Sequence, residues 1–150
     1  MDVQQIQRAL ARHFDYTKYT CVPNIYLGGG EMDFAAVSEA GDLVEVEIKL
    51  TASDWNEDRK KAKWGADYAK FRAIVSRFYY AVPAELMPKA PAWVHGSVGL
   101  LACHQDGRRA HVTIHREAER SAAPKIGERE WSSINASLYH RFWQRELRAA

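Results

Sequence analysis

The chain has 150 residues, of which 47% are hydrophobic and 27% are charged, and its formal net charge is +2. This composition suits one globular domain and excludes disorder throughout, and the small positive charge permits a nucleic-acid partner without requiring one. The N-terminal segment lacks the apolar stretch of a signal peptide and no apolar run approaches the ~20 residues of a membrane-spanning helix, so we expect a cytoplasmic protein with no membrane partner.

Apolar and turn patterns predict a helix and three strands in the first third of the chain. Residues 2–14 form the helix, because their apolar residues recur at spacings of three and four. Residues 21–27 and 31–37 are predicted strands, and the glycine run 28–30 between them predicts a hairpin turn. The strand 43–50 follows after a short turn, and its residues alternate between two faces more clearly than those of the other predicted strands. Short connections predict that these strands form an antiparallel meander.

The rest of the chain is predicted to contain a helix, three strands and a final helix. These elements are a helix at about 53–76, strands at 77–82, 98–103 and 110–116, and a C-terminal helix. The apolar residues of the last helix, Trp131, Ile134, Leu138 and Phe142, recur on one face. The strand–helix–strand crossover predicts parallel pairing of its two strands. The fold class is therefore α/β, a mixed β-sheet flanked by helices in the order α-β-β-β-α-β-β-β-α.

One face of the strand 43–50 carries charged side chains at Glu45, Glu47 and Lys49, although its other face is aliphatic. A central strand in such a sheet is buried on both faces, and charges held there need partners or a metal. Asp33, on the preceding strand, can lie directly opposite Glu47, within ~5 Å. These residues therefore predict a polar site inside the sheet.

Two carboxylates at that separation suit Mg²⁺, which prefers oxygen ligands, and the backbone carbonyl of Ile48 is a candidate third ligand. Mg²⁺ activates water and offsets phosphate charge, so the pattern indicates phosphodiester hydrolysis with help from Lys49. Glu45 could equally be a ligand, and Glu31 shares a predicted face with Asp33; either of these acids could instead be solvated at the sheet edge. The alternative for Glu-x-Lys itself is a solvated strand face or an ion pair.

These residues resemble a known nuclease superfamily. The chain is similar to the PD-(D/E)xK superfamily in the order of its elements: a helix, Asp33 on the second strand, Glu47-Ile48-Lys49 on the third, then a helix and a strand. The flanking runs resemble its MmcB-like branch of DNA-repair endonucleases and related phage-borne proteins, over about residues 4–148: they read VEVEIKLTASDWNEDRKKAKW, RFYYAVPAEL and VGLLACHQDGRRAHV. The resemblance implies one restriction-endonuclease-like domain over residues 1–150.

The resemblance also implies roles for individual residues. Asp33 and Glu47 would be metal ligands, Lys49 would be the catalytic lysine, and the cofactor would be Mg²⁺ with Mn²⁺ as a substitute. DNA would be the substrate, with RNA not excluded. The chain departs from the family pattern at Met32, where the family name has Pro. Many branches also have an acid in the first helix, whereas residues 2–14 offer Gln4, Gln5 and Gln7, with only Asp2 at the very start.

A basic segment with interleaved tryptophans follows the charged strand. Arg59, Lys60 and Lys63 could hold phosphates while Trp64 stacks on bases or sugars. The alternative is a solvated basic face, with Trp55 or Trp64 packed on the sheet.

Two classes of function fit this sequence. The first is a Mg²⁺-dependent deoxyribonuclease acting in repair, recombination or phage DNA metabolism. The alternative is a non-catalytic nucleic-acid-binding or protein-interaction module on the same fold, and a third reading is a domain whose charged strand is merely exposed. One domain of this size offers limited surface to a duplex, and a homodimer is a possible way to extend it.

Overall fold

Six strands form one mixed sheet in the computed structural model, which describes residues 1–60 and 73–149 of the chain. In chain order the strands are β1 (Tyr19–Leu27), β2 (Gly30–Ser38), β3 (Leu43–Ile48), β4 (Val75–Pro83), β5 (Gly99–Asp106) and β6 (Arg109–Arg116). Their order across the sheet is the same as in the chain. The pairs β3–β4 and β4–β5 are parallel and the other three pairs are antiparallel. The predicted mixed sheet flanked by helices is confirmed.

Three helices are described: α1 (Val3–His13), α2 (Ala52–Glu57) and α3 (Glu128–Ala149). Two short 3₁₀ segments, Asp58–Lys60 and Ala84–Lys89, follow α2 and β4. Asp2 begins α1 with a capping box, since its side chain accepts from the backbone of Gln5 and the Gln5 side chain accepts from the backbone of Asp2. Among the residues that the structure describes, no helix is long and apolar enough to cross a membrane.

The predicted helix over 53–76 is wrong at its C-terminal end. Val75 and Ser76 already belong to β4, where the Ser76 hydroxyl donates to the carbonyl oxygen of Leu43 at 2.8 Å. The β-branched Val75 favours a strand over a helix, and its pairing with Leu43 of β3 begins β4 at this residue. Residues 61–72 of the predicted helix lie outside the described residues.

The glycine turn between β1 and β2 is a two-residue hairpin loop, as predicted. Leu27 pairs with Gly30, and the φ angles of Gly28 and Gly29 are 61° and 86°. A type I′ turn needs positive φ at both central positions, which glycine adopts without steric cost. The loop fixes the register of β1 against β2, and therefore the position of Asp33 on β2 relative to β1.

Side chains of β3 alternate between two apolar clusters, one on each face of the sheet. Val44, Val46 and Ile48 pack with Ile6 and Leu10 of α1. The opposite face packs against α2 and α3, and its cluster includes Leu43, Trp55, Tyr80 and Ile134. Every residue of β3 is buried. By this alternation Glu45 and Glu47 face the α2 side, in a layer that is otherwise apolar.

The final helix is confirmed, but its predicted apolar stripe is only partly buried. Ile134 is fully buried and Trp131 is partly buried against the sheet, whereas Leu138 and Phe142 are exposed. The helix leaves the sheet beyond Ser137, because from there to Ala149 only Arg141 is even partly buried.

Both cysteines are free, and burial raises the pKa of their thiols. Cys103 on β5 is buried and its pKa is raised to about 12, whereas Cys21 on β1 is half-buried and its pKa is raised to about 11. Thiols with such pKa values contain little thiolate near neutral pH and react slowly.

Gly99 provides a test of the packing at the start of β5. A Cβ atom at this position would overlap the ring of Tyr79 and come within 2.8 Å of the Ala118 Cβ. We expect Gly99→Ala to lower the free energy of unfolding by about 1–3 kcal/mol, the usual cost of overpacking. The control Gly96→Ala, whose Cβ would meet nothing within 4 Å, should change it by less than ~0.5 kcal/mol. Urea denaturation measures both, and equal effects would contradict the packing described for Gly99.

Candidate active site at the end of strand β3

The pairing of β2 with β3 brings Asp33 close to the end of β3. Phe34 pairs with Val46 and Ala35 pairs with Glu45, so Asp33 directly precedes the paired part of β2. Asp33 Oδ2 accepts a hydrogen bond from the backbone N–H of Ile48 at 2.8 Å. The side chain of Asp33 is thus tied to the strand that carries Glu47, as the meander prediction requires.

A break in strand geometry occurs at Asp33. Met32 packs on the α2 side of the sheet and Phe34 on the α1 side, whereas residues two apart in a regular strand share a face. Across the hairpin, Asn24 of β1 has a left-handed φ of 47°. Gln7 of α1 spans both strands here, since its Nε2 donates to Asn24 Oδ1 at 3.0 Å and to the Asp33 carbonyl at 2.9 Å. The first helix therefore supports the backbone of Asp33 through an amide.

Lys49 lies at the end of β3 with its ammonium group among carboxylates. Its Nζ donates to Glu47 Oε1 at 2.9 Å, forms an ion pair with Asp58 Oδ1 at 2.9 Å and lies 3.9 Å from Asp54 Oδ1. Its backbone N–H donates to the carbonyl of Ala81 on β4 at 3.1 Å. Lys49 is only 3% exposed, so these charges interact with little screening by water.

Asp58 is a site residue that the sequence analysis missed. It is 1% exposed, and besides the ion pair with Lys49 it accepts a hydrogen bond from the hydroxyl of Tyr80. The Tyr80 ring packs against the fully buried Trp55, with centroids 5.6 Å apart. The available signal was spacing, because Asp58 follows Trp55 by three residues and would share its buried face.

The two candidate extra acids differ in their surroundings. Glu45 is buried on the same strand face as Glu47 and pairs with Ala35. Glu31 is exposed and pairs with Tyr26 of β1, outside the residues that pair β2 with β3. Glu45 therefore lies in the layer of the site, whereas Glu31 lies towards the hairpin.

The basic segment after α2 is only partly described. Arg59 and Lys60 are exposed directly after Asp58, and Lys60 Nζ forms an exposed ion pair with Glu57 Oε2 at 2.6 Å. Lys63 and Trp64 lie outside the described residues. Trp55 is fully buried, so it belongs to the core and offers no stacking surface.

The donor set at Asp33 and Glu47 fits a hard divalent cation. Carboxylate oxygens from two neighbouring strands, with the Ile48 carbonyl beside them, are the ligand type that Mg²⁺ and Mn²⁺ accept. Over residues 1–60 and 73–149, no group of three or more His, Cys, Asp or Glu side chains is arranged to hold a metal. Two carboxylates suffice in principle, because Mg²⁺ in proteins usually keeps several waters.

Removing the Tyr80 hydroxyl tests whether Asp58 is held as described. We expect Tyr80→Phe to lower the free energy of unfolding by about 1–2 kcal/mol, because a buried carboxylate loses a donor while ring packing is kept. The control is Tyr26→Phe, which removes an exposed hydroxyl that donates to the Gly29 carbonyl and should cost less than ~0.5 kcal/mol. Guanidinium denaturation compares the two variants, and equal losses would count against a buried Tyr80–Asp58 bond.

Comparison with known proteins places the chain in a family. A solved structure described as the SPO1766 protein of unknown function from Silicibacter pomeroyi has a TM-score of 0.65 and 23% identity, covering 99% of this chain and 90% of that chain. At this identity the likeness shows the fold alone. No curated protein matches the chain. The family model described as DNA repair protein MmcB-like matches residues 2–130. The chain therefore belongs to the MmcB-like family of DNA repair proteins, as its resemblance predicted.

Proposed function

We propose that this chain is a metal-dependent deoxyribonuclease that hydrolyses phosphodiester bonds of DNA in repair, recombination or phage DNA metabolism. The observation that carries the proposal is the geometry of three residues: the Asp33 carboxylate accepts from the backbone N–H of Ile48, directly after Glu47 in β3, and Lys49 Nζ lies 2.9 Å from Glu47 Oε1. Membership of a DNA repair family supports DNA as the substrate. RNA stays an alternative polymer with the same phosphodiester chemistry.

Asp33, Glu47 and the backbone carbonyl of Ile48 would hold the cation. When bound, Mg²⁺ or Mn²⁺ supplies charge stabilisation at the phosphate and lowers the pKa of water. Asp33 is fixed for this task from two sides, since its carboxylate accepts from the Ile48 N–H and its carbonyl accepts from Gln7. Such second contacts orient a ligand before it binds.

Lys49 would stabilise charge on the phosphate or orient the attacking water. An ammonium group has three N–H donors, and the hydrogen bond to Glu47 uses one of them. Asp54, whose side chain is 53% exposed, lies 3.9 Å from Nζ, so the ammonium lies just beneath the protein surface. The ion pair with Asp58 anchors it on the inner side.

The exposed basic residues next to the site would contact the DNA backbone. Arg59 and Lys60 are exposed and follow Asp58 directly in the chain, so their charges would lie near the proposed scissile phosphate. For Lys63 and Trp64, which lie outside the described residues, phosphate contact and base stacking are the proposed roles. The ion pair of Lys60 with Glu57 is exposed on both sides and costs little to exchange for a phosphate.

Isosteric substitutions separate the chemistry from the fold. We expect Asp33→Asn and Glu47→Gln to lower metal-dependent cleavage roughly 100-fold or more, as the loss of one electrostatic stabiliser does. Both amides keep an oxygen that accepts from Ile48 or Lys49, so folding should persist. The assay offers plasmid, single-stranded and branched DNA with Mg²⁺, Mn²⁺ or EDTA. Matched controls are the exposed acids in Asp106→Asn and Glu39→Gln, which should cleave as the wild type does.

The companion variant Lys49→Ala should abolish cleavage. Because this substitution leaves two buried carboxylates without the ammonium group, circular dichroism is used to check that the variant folds. Calorimetric titration of Mn²⁺ should detect binding to the wild type and not to Asp33→Asn. Cleavage that survives EDTA, or that Asp33→Asn and Glu47→Gln leave intact, would refute the proposed nuclease.

The second candidate is a non-catalytic nucleic-acid-binding module on this fold. The observation that favours it is the burial of Glu47 and Lys49 as a pair, because a salt bridge of this kind can serve the fold alone. This candidate predicts no cleavage of any substrate and DNA affinity that is kept or raised in Glu47→Gln. The cleavage assay decides between the two, since the nuclease needs the carboxylate for cleavage and the module cleaves nothing; fluorescence anisotropy with labelled DNA then measures the affinity.

A further inference from the structure

The last two turns of α3 project from the domain. Ile134 is fully buried against the sheet, and Arg141 Nη2 donates to the Asn24 carbonyl at 2.6 Å. From Phe142 to Ala149 every residue is exposed. At 1.5 Å per residue these eight positions extend roughly 12 Å beyond the last contact with β1.

This projecting segment carries a continuous apolar surface, here called the α3 outer stripe. Its members are the exposed residues Tyr139 (63%), Phe142 (48%), Trp143 (46%) and Leu147 (73%). They recur at spacings of one, three and four, which sets them along one side of the helix, and Ile134 lies on the other side. A contiguous apolar patch of this kind marks an interaction surface.

We propose that the α3 outer stripe is the interface of a homodimer, in which α3 packs antiparallel against α3 of a second copy. A two-fold axis that passes between Phe142 and Trp143 brings each of these two residues beside its own copy. The same axis sets Tyr139 opposite Glu146, whose carboxylate can accept from the Tyr139 hydroxyl, and leaves Leu147 at the margin of the interface. The stripe is therefore self-complementary, as an isologous interface must be.

Charge selects the antiparallel arrangement and a protein partner. Parallel helices would bring Glu146 against its own copy and Arg148 against its own copy, which is unfavourable. A nucleic-acid partner fits less well, because Glu146 lies within the stripe. The nearest cation, Arg145, is already paired with Glu146 at 3.1 Å and lies 5.7 Å from the Phe142 ring centroid.

The exposed area matches a small but specific dimer. Each aromatic side chain of the stripe is about half exposed, so the stripe offers on the order of 500 Å² per copy. The pair would bury about 1,000 Å², at the lower end of specific interfaces. The expected dimer is therefore weak, and dissociates on dilution.

Sedimentation velocity of the full chain, without DNA or metal, tests this interface at concentrations from about 1 to 200 µM. We expect a monomer–dimer equilibrium, with the dissociation constant raised at least ~10-fold by Trp143→Ala, because central aromatic residues dominate such interfaces. The control Tyr16→Ala removes an exposed aromatic residue outside the stripe and should leave the constant unchanged. Failure of the nuclease proposal does not affect this result, since no activity is measured.

Disulfide trapping tests the orientation. A mixture of Tyr139→Cys and Glu146→Cys chains should form the mixed disulfide, whereas parallel helices would link Tyr139→Cys chains to each other. The native thiols react slowly, and the wild type is the blank. A monomer at every concentration, a dimer indifferent to Trp143→Ala, or self-linked Tyr139→Cys chains would each overturn the proposal. So would a Trp143→Ala variant that loses DNA affinity while the wild type stays monomeric.

Discussion

The buried ammonium of Lys49 is the constraint on which the arrangement around β3 depends. Taking such a charge out of water costs several kcal/mol, so carboxylates must lie within hydrogen-bonding distance. Glu47 supplies one from the same strand, and Asp58 supplies the other from the turn after α2. Tyr80 fixes Asp58, and Tyr80 itself is set beside Glu47 by the parallel pairing of β4 with β3. One buried charge thus ties β3, the end of α2 and β4 together.

Stability alone gives a weak reason for these charges. Apolar side chains of similar volume usually fill a buried position at least as stably as an ion pair does, so a chain that needed only the fold could do without Glu47, Lys49 and Asp58. Groups that are held charged at a cost are more often found where chemistry is done. The same argument applies to Asp33, whose support by Gln7 and by the Ile48 N–H fixes a carboxylate at a break in its own strand.

The sequence predicted those parts of the site that follow from strand periodicity. Alternation within β3 and short turns were enough to predict the antiparallel meander that brings the strand of Asp33 next to the strand of Glu47, since both are local properties. Asp58 was missed because its burial depends on where α2 ends and on Tyr80, more than twenty residues later. The break at Asp33 was missed for a similar reason: it depends on Asn24 and Gln7, which no local pattern connects. Likewise, β4 begins at Val75, two residues earlier than predicted, because Val75 pairs with Leu43 of β3.

The projecting helix and the site share a physical connection. Arg141 of α3 donates to the carbonyl of Asn24, and the side chain of Asn24 accepts from Gln7, which also holds the backbone of Asp33. A second copy packed on the α3 outer stripe would therefore stabilise the helix that supports this break. It would also relate two copies of the site by a two-fold axis. The backbone of duplex DNA has the same two-fold symmetry, because its strands run antiparallel. A dimer can therefore present an equivalent site to each strand, whereas one chain offers limited surface to a duplex.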